Sequence, residues 1–412
     1  MDISDLEPLR SKEELSELLH LAKIDKSDLC NLTQIIYAEK QKDFSNKKLI
    51  ELDKKLLEAV QLGDSLSFRG ETGEFVVLCT KDRTYDVREA ETSNSLLLVP
   101  NLKFHTEIID SESNNRSIED LEVKGNFASY LEVREIKPRF NKLTQILGET
   151  AFRGIEYEKG IDKEKLFDWD KLRSKIQASD EELKQALPQY SIVNIDGYYR
   201  LVSFDYEADA VSKMVDLITY NSWEIDEVDR EESLEALHEL IPEPVFNALF
   251  DKYTEIAKQR EDPTGNPNAS EKSKTTPLYR YNEEKLCKML AKVLLAVSPV
   301  TEYTGFMDAW ETGVPEGMKP KEECLYGLAV VKMNNEIGRR EIVSFPEEHL
   351  PENVEKRFEE LFKVKDKWTL EEITPYISNV ATEKLNVKAL LTKYARSSMK
   401  NGIKYYSSKH GK

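Results

Sequence analysis

Eight cations close the sequence. Lys384, Lys388, Lys393, Arg396, Lys400, Lys404, Lys409 and Lys412 occupy a stretch without a single Asp or Glu. Ammonium and guanidinium groups gathered on one ordered element can bind phosphate oxygens, with counterion release as the drive. Tyr405 and Tyr406 lie among them and offer stacking surfaces. The same charges suit an acidic protein face, and blocks of like charge are most often solvated surface. Other chemistries have no address. Cys30, Cys79, Cys287 and Cys324 are far apart with no CxxC, and His20, His105, His238, His349 and His410 are scattered with no HExxH, so neither a metal site nor a cofactor is expected. GxxxxGK[ST], GxGxxG and GxSxG are all absent, which argues against nucleotide hydrolysis, dinucleotide binding and serine-hydrolase chemistry. Glu231-Glu232, Glu347-Glu348 and Glu371-Glu372 read as helix N-termini, where negative charge is favoured, and no catalytic residue is expected.

The basic end contrasts with the rest of the chain. Lys and Arg total 59 against 77 Asp and Glu, a net charge of −18 over 412 residues. Without the eight terminal cations, 51 basic residues face 77 acidic ones, so −26 sits on the remainder. A uniform nucleic-acid coat is excluded, whereas a local footprint is not. No window holds the roughly 18 to 20 apolar residues that span a bilayer, and Met1-Asp2-Ile3-Ser4-Asp5 is acidic where a signal peptide is basic, so an intracellular protein without a membrane partner is expected.

What positions these charges is a chain of two to four domains by length. Ser11 and Glu14 form a capping box that opens an amphipathic helix through Leu15, Leu18, Leu19 and Leu21. A second amphipathic stretch runs from Lys47 to Leu62, closed by Gly63. From Ser65 the period shortens. Strands are expected at Ser65 to Arg69, Glu74 to Cys79, Thr84 to Val87, Ser95 to Val99 and Tyr130 to Ile136, with turns at Asn94 and at Asp110 to Arg116, as in a small barrel or sandwich. Phe75, Val77 and Leu78, like Leu96, Leu97 and Leu98, stand in runs that are apolar on both faces, so a partner chain is expected to complete that barrel.

Past Pro138 the order is helix, helix, hairpin. Asn141 to Leu147, Asp168 to Ile176 and Asp180 to Leu187, the last opened by a Ser179 capping box and stopped by Pro188, precede two strands around Asp196-Gly197. That order is the winged-helix one, although Asp180, Glu181 and Glu182 would repel phosphate from its recognition helix. Asp205 to Ile256 reads as helical, and 257–279 as a surface loop. Asn282 caps a further helix, Thr304 to Trp310 gives another, and strands at Leu325 to Val331 and Glu341 to Phe345 complete a second such pattern, with Arg339 and Arg340 on its wing as a candidate phosphate contact, although two arginines on a hairpin are most often just solvated. Thr369 and Glu372 open a third, in which Pro375 stops or kinks the helix. Asn386 then caps a helix that Gly402 ends, exposing Lys388, Lys393, Arg396 and Lys400, before a short strand Ile403 to Tyr406.

Five stretches carry a family likeness: Glu74 to Pro100, Phe204 to Glu207, Val314 to Met318, Arg357 to Ile377 and Ala389 to Lys409. In order and spacing they resemble the DSCC family (defective in sister chromatid cohesion), a subunit of the alternative replication factor C clamp loader. The resemblance implies a non-catalytic nuclear protein of DNA replication. Its β-rich half would pair with the small chromosome-transmission-fidelity subunit and with the tail of the large, ATP-hydrolysing one. Its C-terminal winged helices would attach DNA polymerase epsilon and DNA, indirectly serving the sliding clamp. Lys393, Arg396, Lys400 and Lys404 fall in the family's last winged helix, whereas Ser397 and Ser398 stand where fungal members are more basic.

The fold class expected is therefore α+β, an N-terminal β-barrel-type dimerisation domain followed by tandem winged helices. Its parts are a helical leader (1–45), a barrel domain (46–140), and winged helices over 141–205, 206–350 and 351–412. The interface with DNA or polymerase comprises Lys388, Lys393, Arg396, Lys400, Lys404 and Lys409. A sequence-specific winged-helix transcription regulator is the competing class.

Overall fold

The computed structural model describes residues 11–24, 32–38, 46–104, 107, 117–261, 275–334, 338–382 and 385–409. Two compact units divide the chain, the first made of Met1–Lys55 and Val87–Val133, the second of Leu56–Asp86 and Arg134–Lys412.

Helix α1 (Lys12–Leu21) begins where the Ser11 capping box places it. Strand β1 (Leu32–Tyr37) follows, a strand inside the stretch read as a helical leader. Helix α2 (Lys54–Leu62) is shorter than the 47–62 pattern predicts. Leu49 and Leu52 precede it in extended backbone, because Leu131 donates to the Leu49 carbonyl and accepts from Glu51, at 2.8 and 2.9 Å. Those bonds replace the turns that the amphipathic period alone would have formed. Next come β2 (Ser67–Arg69), β3 (Val77–Cys79) and β4 (Thr84–Leu98). The last runs unbroken through Asn94, expected to be a turn; the Thr92 hydroxyl accepts from the Asn94 amide at 3.1 Å within the strand. Strand β5 (Ser117–Glu122) pairs in parallel with β1, Ile36 opposite Leu121, and β6 (Gly125–Ile136) completes a sheet of order β2-β3-β4-β6. Among the described residues these strands form one open four-stranded sheet and one separate two-stranded pair. The turn expected over 110–116 falls outside the described residues.

The second unit continues with α3 (Asn141–Gly148), α4 (Trp169–Lys175), capped by Asp168, and α5 (Asp180–Gln189), capped by the Ser179 box and passing through Pro188 instead of stopping there. Strands β7 (Ile192–Ile195) and β8 (Tyr198–Leu201) meet at Asp196 and Gly197, both at positive φ, 53° and 89°, as a type I′ turn requires. Leu143, Leu147, Leu172, Ile176, Leu183 and Ile192 form the buried core of this segment.

Helices α6 (Phe204–Tyr220), α7 (Arg230–Leu237) and α8 (Glu243–Tyr253) come next. Then β9 (Thr254–Glu261) and β10 (Thr275–Tyr281) pair antiparallel, which corrects the surface loop expected over 257–279. Leu278 and Tyr281 are buried at 6% and 3% exposure, and that burial holds the hairpin arms although 262–274 lies outside the described residues. Helix α9 (Glu283–Val297), capped by Asn282, β11 (Val300–Glu302), α10 (Tyr303–Gly313), β12 (Ala329–Asn334) and β13 (Arg339–Ser344) follow. Leu325, read as the start of a strand, lies in a 3-10 turn before β12. The three strands form one antiparallel sheet in the order β11-β13-β12. Trp310 is fully buried and donates its indole N–H to the Cys287 carbonyl at 2.9 Å, locking α10 to α9.

Helices α11 (Val354–Val364), α12 (Leu370–Ile377) and α13 (Val387–Tyr394) close over Phe358, Leu361, Trp368, Ile373, Tyr376 and Leu390. Pro375 is accommodated inside α12. The final correction concerns the basic end. Helix α13 stops at Tyr394, and β14 (Ala395–Lys400) pairs with β15 (Ile403–Ser408) around Asn401 and Gly402, at φ 51° and 80°. Asn-Gly is a strong I′ hairpin signal, and here it overrides the helical spacing of the cations.

Candidate interaction surfaces

The hairpin redistributes the basic residues. Directly paired residues of an antiparallel ladder share a face, and alternate residues change face. Arg396, Ser398 and Lys400 therefore stand on one face with Ser407, Tyr405 and Ile403, while Ala395, Ser397 and Met399 share the other with Ser408, Tyr406 and Lys404. The second face is packed at its base, where Ala395 and Tyr406 are buried. Its tip carries Lys404, whose ammonium lies 5.4 Å from the Tyr406 ring centroid. The first face is open, with Arg396 and Lys400 exposed beside Tyr405. Lys393 sits in the last turn of α13, its ammonium 5.2 Å from the Tyr394 ring, and Lys388 is in the first turn.

Lys409 is also bonded within the fold. Its ammonium donates to the carbonyls of Thr392 and Lys393, at 2.9 and 2.7 Å, and so satisfies acceptors that the end of α13 leaves open. Arg340 is likewise engaged within the fold. Its guanidinium bonds Glu322 at 2.7 Å and lies 3.8 Å from the Tyr303 ring centroid, an arrangement that tethers the β13 strand to α10. Arg339, its neighbour, is exposed at the hairpin.

A second surface belongs to the first unit. Among its described residues three large apolar side chains are buried, Leu121, Val123 and Phe127, whereas twelve are exposed, which leaves that unit with almost no core of its own. Ile35 and Ile36 are each 47% exposed, and Leu96, Leu97 and Leu98 are 39%, 53% and 44% exposed. Consecutive strand residues point to opposite faces, so both runs are open on both sides. Phe104 and Ile118, at 66% and 64%, add to the exposed set. The β1 residues went unnoticed in the sequence, although the apolar run Ile35-Ile36-Tyr37 in a polar leader was the available signal.

Of the other strand residues expected at a partner interface, Phe75 is 83% exposed, but Val77 and Leu78 are buried at 4% and 1% inside the second unit. Their cover comes from the chain itself. The Arg69 guanidinium bonds Asp180 at 2.6 Å, and the Thr84 hydroxyl bonds Glu182 at the same distance. Gln177 donates its amide to the Phe75 carbonyl. Lys142 and Lys175 both grip Glu71 and hold its carboxyl at a pKa of about 2. The acidic start of α5 is thus explained: Asp180 and Glu182 anchor β2 and β4.

Several residues in the family-like stretches are structural too. Glu207, only 7% exposed, accepts hydrogen bonds from Ser191, Lys252 and Tyr253, each at 2.8 Å, and the Tyr253 phenol is pushed above its usual range by burial and this carboxylate. Arg357, 1% exposed, donates to the carbonyls of Leu350, Pro351 and Tyr376 and to Asn379. Cys79, Cys287 and Cys324 are buried free thiols, and burial pushes Cys287 up to about 12. Cys30 lies outside the described residues, as do Lys384, Lys412, His105 and His410. No group of side chains with metal-ligating composition occurs among the described residues, nor a helix long and apolar enough to cross a membrane.

The described residues thus carry an exposed apolar surface and an exposed basic one, while the buried polar groups hold the fold. Residues 47–377 match the family "Sister chromatid cohesion protein Dcc1". Similar proteins include the sister chromatid cohesion protein DCC1 of Xenopus tropicalis, 34% identical over 97% of this chain and 98% of that protein, and that of Mus musculus, 33% identical over 97% of each. The human DCC1 is 31% identical over 97% of this chain and 98% of its own length. The chain belongs to the Dcc1 family of sister chromatid cohesion proteins, and it is a non-catalytic member of that class.

Proposed function

We propose that this chain is a nuclear, structural subunit of the alternative replication factor C clamp loader, acting in DNA replication and sister chromatid cohesion. The observation that carries the reading is the first unit's exposed apolar surface. Twelve large hydrophobic side chains in water against three buried is a composition that a stable domain removes by association. The small chromosome-transmission-fidelity subunit and the tail of the large subunit are the chains that would cover Ile35, Ile36, Leu96, Leu97 and Leu98, with Phe75 at the margin. Together they would close the barrel that the described strands leave open.

The second unit would present the assembly to DNA polymerase epsilon and to DNA, and through them serve the sliding clamp. The helix–strand–helix–hairpin order from α9 to β13 and the strand order β11-β13-β12 support a winged-helix reading there. Lys388, Lys393, Arg396, Lys400 and Lys404 form the basic surface of the last segment, with Arg339 as a separate wing contact. Lys409 and Arg340 position these elements. Contacts of this kind hold a phosphate backbone without reading bases.

Co-expression with the small subunit tests the reading. A stable complex that Leu97→Asp with Ile36→Asp abolishes, while the second unit keeps its melting transition, is the expected result. Failure of the wild-type chain to form any complex would overturn the proposal. A binding selection on random duplex DNA that returned one enriched motif would instead favour the transcription regulator.

A further inference from the structure

Neither surface described above includes a groove of about 720 Å³ in the second unit, between α6, α9 and the turn at Gly313 to Gly317. Its floor on α6 passes through Ala208, Ser212, Val215 and Thr219, with Ser222 in the turn that follows. The helical residues recur every three to four positions, so they form one stripe of roughly 17 Å along the helix. The facing wall on α9 repeats the pattern with Leu286, Met289, Leu290 and Val293. Val314, from one of the family-like stretches, and Ile225 also line the groove.

The charge on this groove is of one sign. Asp216, Glu224 and Glu316 line it, all exposed, and no Lys, Arg or His does. A trough between two helices that mixes aliphatic side chains with the hydroxyls of Ser212, Thr219 and Ser222, and is rimmed by carboxylates, suits a third helix with apolar anchors and cationic flanking residues. We propose that this groove docks an amphipathic helix of another protein, with aliphatic or Met anchors at i, i+3 or i+4, and i+7, and Lys or Arg beside them. Two segments of this chain outside the described residues are poor matches in sequence. Residues 1–10 carry Asp2, Asp5 and Glu7, which the rim repels, and 262–274 has no large apolar side chain to fill the trough. The adaptable Met289 and the small residues Ala208 and Ser212 leave room for side chains to enter.

The test uses the full chain and a phage-displayed library of peptides of about 16 residues, long enough for four helical turns. Selected peptides are expected to share the anchor spacing and to be basic, and to shift the methyl resonances of Met289 and Ile218. Ser212→Trp, which fills the trough from an exposed position, should weaken them at least tenfold at unchanged melting temperature. Charge reversal at Asp216, Glu224 and Glu316 should weaken them and turn the preference toward acidic peptides. No enrichment, enrichment of acidic sequences by the wild type, or binding indifferent to Ser212→Trp would each overturn the proposal, as would saturation by a small apolar molecule in place of any helix.

Discussion

The hairpin geometry separates two kinds of cation that the sequence presents as one cluster, and substitution should separate them by measurement. Arg396 and Lys400 are exposed on one face of β14, four residues apart, which is about 13 Å at strand rise. Lys409 instead closes the end of α13 through two carbonyls. Each phosphate contact contributes about 0.9 to the slope of log affinity against log salt. Replacing Arg396 and Lys400 with Gln should therefore flatten the slope by about 1.8, so the affinity lost between 50 and 200 mM salt shrinks roughly twelvefold. The melting transition should not move, because neither side chain packs in the core. Lys409→Ala should do the reverse, costing about 0.5–1 kcal/mol of stability for a cation at a helix C-terminus and leaving the salt slope nearly unchanged. The assay is fluorescence anisotropy on duplex DNA at four salt concentrations, paired with thermal melts of the same variants. If Lys409→Ala flattens the slope as much as the double variant, or if the double variant leaves the slope intact, the assignment of cations to faces is wrong.

Other expectations follow from buried and paired groups. Arg357→Met leaves the buried carbonyls of Leu350 and Tyr376 without their donor and should cost about 2–6 kcal/mol at roughly 1–3 kcal/mol per unsatisfied group, read as a lowered denaturation midpoint. Glu71 is held at a pKa of about 2 by Lys142 and Lys175, below its ordinary value of 4.5. Its contribution to stability is present above pH 4.5 and disappears as pH falls toward 2. Glu71→Gln should therefore make the acid-unfolding profile shallower in that window, and an unchanged profile would show that the pair is not formed.

The parts of this fold that were legible in the sequence are those decided within a few residues. Ser11 with Glu14, Ser179 with Glu182 and Thr369 with Glu372 each open a helix by a reciprocal cap, and Asp196-Gly197 turns a hairpin. The same Asn-Gly logic at residues 401 and 402 was legible but lost to a competing pattern, since cations at 388, 393, 396 and 400 imitate the exposed stripe of a helix. Pairing decided what local signals could not. Strand β4 runs straight through Asn94, and β9 finds β10 across thirteen intervening residues. At the candidate surfaces, Leu96, Leu97 and Leu98 of one apolar run stand exposed among the described residues. Val77 and Leu78 carried the same signal, yet Arg69, Gln177 and Thr84 bind their strands to the following helices and bury them. Composition alone cannot distinguish a run covered by its own chain from one that awaits another.

Hydrogen exchange of the full chain, alone and after addition of the small chromosome-transmission-fidelity subunit, tests the central claim most directly. Slowed exchange over 32–37 and 95–98, with 387–408 unaffected, is the result expected if the first unit's open strands are where the complex is built. Unchanged exchange in both strands, or protection confined to the terminal hairpin, would contradict it.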